Sequence, residues 1–425
     1  MVAKVRLGVL AALLPLAACT PDDFKGVEIR YMAWGNPQQL ALEKKFCEDF
    51  TKEHPRIRVK FIQTPSTAYH LKMVLMLASR TAPDVMRVDH YDFPSLVAKD
   101  YFHPLDDLIK NDPTYRLSDY FPGAVEEGQY KGGMYGLSVL FGAPIIYYNK
   151  DLLAKAHLEE PYNLWKRGEW TWDAYLRYAQ AMTTKDKQGK PLTFGSWING
   201  LPFQAAVAYS FGGAIMKDGR VDYAQGPQLE SLRFLHDLRF KYKVEPNASQ
   251  AANSMFSFDG GKTGMQIEWM GITPRLRDTA KFDWDVCPTP INPGGTTMIK
   301  GNQLVMSIDS QHPQEAWEFM KFMTGKRAEE KLYVDLRRCF PTRKDVAYSP
   351  EYLASGDKPP HHMDAFIFSV EKGRVLPITS RWSEWTTEFN GALEPLFNGT
   401  THDVDKTVVE AQRRANETLA VREGL

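Results

Sequence analysis

Val27-Glu28-Ile29-Arg30-Tyr31-Met32-Ala33-Trp34-Gly35-Asn36-Pro37 is the stretch from which the fold is read. Val27, Ile29 and Tyr31 alternate with Glu28 and Arg30, which is the period of a half-buried strand. Asn36 followed by Pro37 suits a helix N-cap and first turn. The next residues place Leu42, Phe46 and Phe50 at four-residue spacing, on one helical face, before His54-Pro55 ends the run. Ile57, Val59 and Phe61 make a second strand. Tyr69 to Ser79 reads as a second helix with Leu71, Val74, Leu75 and Ala78 inward, and Asp84 to Val88 as a third strand. The β-α-β-α-β order predicts a parallel, doubly wound sheet. Ligands on such sheets lie beyond the carboxyl ends of the strands, where Trp34, Asn36 and Asp89-His90-Tyr91 fall.

The α/β style continues. Pro144 to Tyr148 is a buried strand, and Thr171-Trp172-Asp173 opens a helix to about Thr183. Met265 to Trp269, Trp284 to Cys287 and Gln303 to Ile308 are further strands. Pro313 starts a helix that closes near Gly325. The part from Trp382 onward is largely helical, with Phe389, Leu393 and Leu396 inward. Two domains fit in 425 residues, and the lack of a linker predicts that the chain crosses between them more than once. Lys plus Arg and Asp plus Glu are both 52, so there is no basic footprint for nucleic acid.

The N-terminus has Lys4 and Arg6, then the apolar run Leu7 to Leu14, which is too short to cross a bilayer. It ends Leu16-Ala17-Ala18-Cys19. This resembles the bacterial lipobox, so residues 1–18 read as a lipoprotein signal peptide and Cys19 as the lipidated first residue. Residues 19–26, with Thr20-Pro21-Asp22-Asp23, suit a tether. The other cysteines, Cys47, Cys287 and Cys339, allow at most one internal disulfide and match no zinc spacing. Cys47 is expected to be a buried thiol.

Five ordered stretches then resemble the bacterial extracellular solute-binding proteins of ABC importers, in their sugar-binding, maltose-binding-protein-like class. They are Tyr31 to Gly35 with His54 to Val59; Ala82-Pro83-Asp84-Val85 with Leu96 to Lys99 and Pro104 to Asp107; Tyr135-Gly136-Leu137 with Tyr147-Tyr148-Asn149-Lys150-Asp151-Leu152 and Trp170 to Asp173; Gly261 to Met265 through Trp269 with Phe282 to Val286; and Gly301-Asn302 with Glu315 to Phe319. The resemblance implies an α/β, two-lobed periplasmic-binding-protein-like fold, each lobe a sheet flanked by helices, with a hinge. Lobe 1 is then 27–143 plus 289–335, and lobe 2 is 144–288 plus 336–425. It implies a lipid-anchored monomer in the cell envelope, with a carbohydrate ligand, ABC permease subunits as partners, no cofactor and no resident metal.

The same resemblance suggests cleft positions. Trp34 is a stacking platform or a core ring. Asn36 is a contact or simply the helix cap, and Gln38 is a further candidate at that helix start. Asp89 matches a position that bonds sugar hydroxyls, and His90 is beside it. Phe141 stands where relatives carry polar groups. Trp197 belongs to the second lobe, and Trp269 with Gly271 matches the family's aromatic-glycine cleft segment. Gly301 and Asn302 match a Gly-rich loop whose N–H groups approach ligand. Arg374 and Trp382 fall in a C-terminal cleft segment.

Other readings compete. The scaffold also serves glycerol phosphates, which Arg374 or Lys300 would face, and it can serve a sensor. An exported carbohydrate-active enzyme would need catalytic groups. The sequence has no G-x-S-x-G, H-E-x-x-H or Walker A pattern. Asp283-Trp284-Asp285 places two carboxylates on one strand face. His361-His362 reads as a solvated pair.

Overall fold

The computed structural model describes residues 24–420 other than Asn36, Asn199, Ala252, Asn253, Leu336 and Ser355. Two mixed sheets, flanked by helices, organise the chain. The first joins Ile57–Thr64, Val27–Trp34, Val85–Asp89, Thr297–Met306 and Gly373–Val375 in that spatial order, and Gly136–Gly142 also pairs with Thr297–Met306. The second joins Trp284–Cys287, Ile145–Asn149, Thr263–Glu268, Pro191–Trp197 and Thr184–Lys185.

The opening β-α-β-α-β segment folds as its pattern requires. Val27–Trp34 runs parallel to both Ile57–Thr64 and Val85–Asp89. Ile29 and Tyr31 are buried beneath the helix Pro37–Glu53, which turns Phe46 and Phe50 inward. Cys47 is buried there, and burial pushes its thiol up. No disulfide joins Cys47, Cys287 and Cys339.

The expected all-parallel sheet is corrected by the strand Thr297–Met306. It inserts antiparallel to Val85–Asp89 and to Gly136–Gly142. The second helix, Ser66–Ala78, faces the other way from expectation. Tyr69, Met73 and Leu77 are buried, while Leu71 and Leu75 are 66% and 59% exposed.

The chain crosses between the sheets at Gly142 to Ile145 and again at Cys287 to Thr297. Phe340 forms a bridge with Phe141 beside the first crossing. Phe121, Phe141, Ile145, Tyr147, Ile299 and Phe340 share one apolar cluster there, drawn from both sheets. One short strand joins the first sheet from far along the chain. Gly373–Val375, expected in lobe 2, pairs with Thr297, Met298 and Ile299 of the first sheet.

Candidate ligand-binding cleft

The parallel strands of the first sheet end at Trp34 and Asp89. In the second sheet Pro191–Trp197 and Thr263–Glu268 are parallel, so Trp197 and Glu268-Trp269 also share an end. Aromatic and polar side chains from both sheets meet beyond these ends.

Asp89 Oδ1 accepts the Tyr91 N–H at 3.0 Å, which closes the turn after the third strand. Tyr91 leaves the first sheet there and stacks on Trp382 with ring centroids 5.3 Å apart and planes 14° from parallel. The Lys300 ammonium lies 4.5 Å from the Tyr91 ring centroid and 5.2 Å from that of Trp269. Such placement over ring faces is a cation–π arrangement. Phe203 lies 6.0 Å from Trp269, centroid to centroid. The Tyr91 hydroxyl and Gln204 Oε1 are buried and make no hydrogen bond among the described residues. Ring faces, an ammonium and the unpartnered Tyr91 hydroxyl therefore converge from separate parts of the chain.

Behind this group lies a buried polar layer. His90 Nε2 is 3.3 Å from the Leu376 carbonyl, and His90 Nδ1 is 3.4 Å from Glu127 Oε1. The Glu127 carboxylate also accepts the Gly301 N–H and the Ser138 hydroxyl. Burial pushes the Glu127 carboxyl up to about 8. Burial, and then the Lys300 charge, push the His90 imidazole down to about 4. Both groups are thus held neutral near pH 7, as expected of ionisable groups sealed from water.

Comparison with known proteins identifies the family. The sequence profile described as "Bacterial extracellular solute-binding protein" matches residues 34–330, most of the chain. The chain belongs to this family. A putative binding protein of Brucella abortus is 23% identical over 435 aligned positions, covering 99% of each chain. An ABC substrate-binding protein of Listeria monocytogenes, solved in complex with cycloalternan, superposes with a TM-score of 0.81 at 22% identity, covering 93% of this chain and 99% of that one. The sugar-binding protein MalE of Xanthomonas citri superposes at 0.77 with 20% identity, covering 93% and 98%. The fold is therefore the two-lobed periplasmic-binding-protein fold expected from the motifs. The family is one of binding proteins, and its extracellular character implies export. Among the described residues, no helix is long and apolar enough to cross a membrane.

In this binding protein the expected positions fall in different places. Asp89, His90, Trp269 and Trp382 fall in the cluster just described or directly behind it. Asn302 is the register partner of Asp89, and Arg374 sits exposed beside Met298. Gly271 follows Trp269 in a short helical turn, close to the Arg338 carbonyl. Trp34 and Trp197 lie at strand ends, and Trp34 has its own neighbours. Arg87 places its guanidinium 4.4 Å from the Trp34 ring centroid and donates to the Trp34 carbonyl. Tyr69 packs at 4.6 Å on the same ring. Trp197 is half-buried, between Ser196 and Ile198, which both bond Glu245.

Two expectations change. Gly301 belongs to the strand Thr297–Met306, at a register shift, and its N–H bonds Glu127 rather than opening toward a ligand. Phe141 is 1% exposed and packs in the interlobe core. Asn36 and Cys19 lie outside the described residues, as does the side chain of Gln38, which sits in the helix Pro37–Glu53. The sequence reading did not include Tyr91 among the contacts. Its signal was its place two residues beyond Asp89, where an aromatic ring leaves a strand end.

Proposed function

We propose that this chain is a lipid-anchored solute-binding protein that captures a carbohydrate between its lobes and delivers it to an ABC importer permease. The observation that carries the ligand class is the placement of Lys300 over the Tyr91 and Trp269 rings at the strand ends, with Trp382 stacked on Tyr91. Sugars present apolar faces that stack on rings and hydroxyls that bond polar atoms. The Tyr91 hydroxyl and the Lys300 ammonium supply the second kind of contact. The sugar-binding MalE of Xanthomonas citri and the cycloalternan complex from Listeria monocytogenes support the same ligand class.

In this reading lobe 1 comprises 27–143, 289–335 and the added strand Gly373–Val375, and lobe 2 the rest of the described chain. Closure about the crossings buries the ligand and forms the surface that a permease reads. The test is tryptophan fluorescence and thermal melting of the protein exported from its own signal, against a panel of mono- and oligosaccharides. A bound sugar shifts emission, and raises the melting temperature with the logarithm of its concentration. A panel in which no sugar does either, while glycerol phosphates do, would replace the carbohydrate with a phosphate ligand.

A further inference from the structure

Asp285 and His362 read from sequence as a strand carboxylate and half of a solvated histidine pair. The fold brings them together with Glu160. Their donor atoms all lie within 4.8 Å of one another. His362 Nε2 is 3.6 Å from Glu160 Oε2 and 3.7 Å from Asp285 Oδ2. Tetrahedral ligands about 2.0–2.1 Å from zinc stand roughly 3.4 Å apart, so small side-chain shifts would close this set on a cation.

Each ligand is held by its surroundings. The Asp285 side chain is only 1% exposed. Its Oδ1 accepts the N–H groups of Val286, His361 and His362. Its Oδ2 makes no hydrogen bond among the described residues and faces His362. The His362 ring lies flat on Tyr162, with centroids 3.5 Å apart and planes 3° from parallel. Tyr148 donates to Glu160 Oε2 at 2.7 Å. These are the outer contacts that orient metal ligands.

Lys150 is the nearest competing cation. It lies 3.1 Å from Glu160 Oε1 and 3.4 Å from Asp283 Oδ2, so it occupies the other oxygen of Glu160 and has a second carboxylate of its own. With Lys150 set between Glu160 and Asp283, the carboxylates of Glu160 and Asp285 are left facing the His362 imidazole.

The group also lies apart from the cleft. The cleft end of Thr263–Glu268 is Glu268, which pairs with Ile145, whereas Asp285 pairs with Tyr148 further along the same strand. We propose that Glu160, Asp285 and His362 form a zinc-type divalent-cation site on the second lobe. A metal there ties together the start of the helix Pro161–Lys166, the edge strand Trp284–Cys287 and the segment entering the helix Asp364–Lys372.

The test is equilibrium dialysis of the full protein with Zn2+ in a non-chelating buffer at pH 7.5, with Co2+ as a spectroscopic substitute. The expected result is one zinc per chain. His362→Ala should weaken that binding at least about tenfold. His362 is partly exposed, so this change should leave the fold intact, as circular dichroism would show. His402→Ala should leave zinc binding unchanged; it removes half of the other close histidine pair, His236 and His402. Bound Co2+ should give the intense visible bands of four-coordination. No stoichiometric zinc would overturn the proposal. So would binding that survives His362→Ala, binding lost with His402→Ala, or a weak six-coordinate cobalt spectrum. In those cases the three groups contact one another without a metal.

Discussion

Glu127 and His90 touch in the layer behind the cleft, yet they push stability in opposite directions with pH. In the unfolded chain a Glu titrates near ~4.3 and a His near ~6.5. Folded Glu127 titrates at about 8, so between those values the native state holds a proton that the unfolded chain has lost. Stability therefore falls as pH rises through that window. Folded His90 titrates at about 4, so between there and ~6.5 the unfolded chain holds the extra proton and stability rises with pH. The two slopes offset each other up to about 6.5, and only the Glu127 slope continues above it. Glu127→Gln keeps an acceptor for Gly301 and Ser138 but cannot ionise. Its melting temperature relative to the parent should climb between pH 6.5 and 8.5; a constant difference would mean that Glu127 is not the source. Trp269 makes a different prediction. Trp269→Ala should weaken binding of the cognate sugar about tenfold, or ~1–2 kcal/mol, by isothermal titration. Unchanged affinity would remove that ring from the site.

Within the strand Thr297–Met306, Gly301 occupies the register shift between Lys300 and Asn302. A Cβ there would lie 2.7 Å from Ser138 Oγ and 2.9 Å from Glu127 Oε2. Overpacking of this kind costs about 1–3 kcal/mol. Gly301→Ala should therefore lower the denaturation midpoint in urea, and a midpoint equal to the parent's would show that the bulge has room. The sequence marked this glycine as special but assigned it to a loop, because a glycine inside a strand and one in a turn look alike without the partner strands. The helix Trp172–Met182 was more legible. Thr171 caps it, accepting the Ala174 N–H at 3.1 Å, and Trp172, Tyr175 and Tyr178 are all buried. The helix Ser66–Ala78 was less so, since Leu71 and Leu75 make one apolar stripe and Tyr69, Met73 and Leu77 another. Both have four-residue spacing, and only the sheet decides which is covered. The site shows the same division. Residues at strand ends were readable because chain direction places them there, whereas Tyr91 against Trp382 and Glu160 beside His362 depend on contacts between distant segments.

At the scale of the whole molecule the proposed tether is the simplest element to test. Cys19→Ser should move the exported protein from the membrane fraction to the soluble fraction, as fractionation with immunodetection would show; continued membrane association would rule out a lipid on Cys19. Solute capture itself should not need the tether, because every candidate contact lies beyond it. The crossings also govern how the molecule is made. Val85 pairs with Met306, and Thr297 with Gly373, so the first sheet draws on strands from opposite ends of the sequence. A chain emerging from the ribosome completes the five strands of the second sheet before the first sheet has Thr297–Met306, the strand that pairs with three others. Loops this long close slowly. The amino-terminal strands thus spend much of synthesis with one edge unpaired, open to the wrong partner until residues 297–306 have been made.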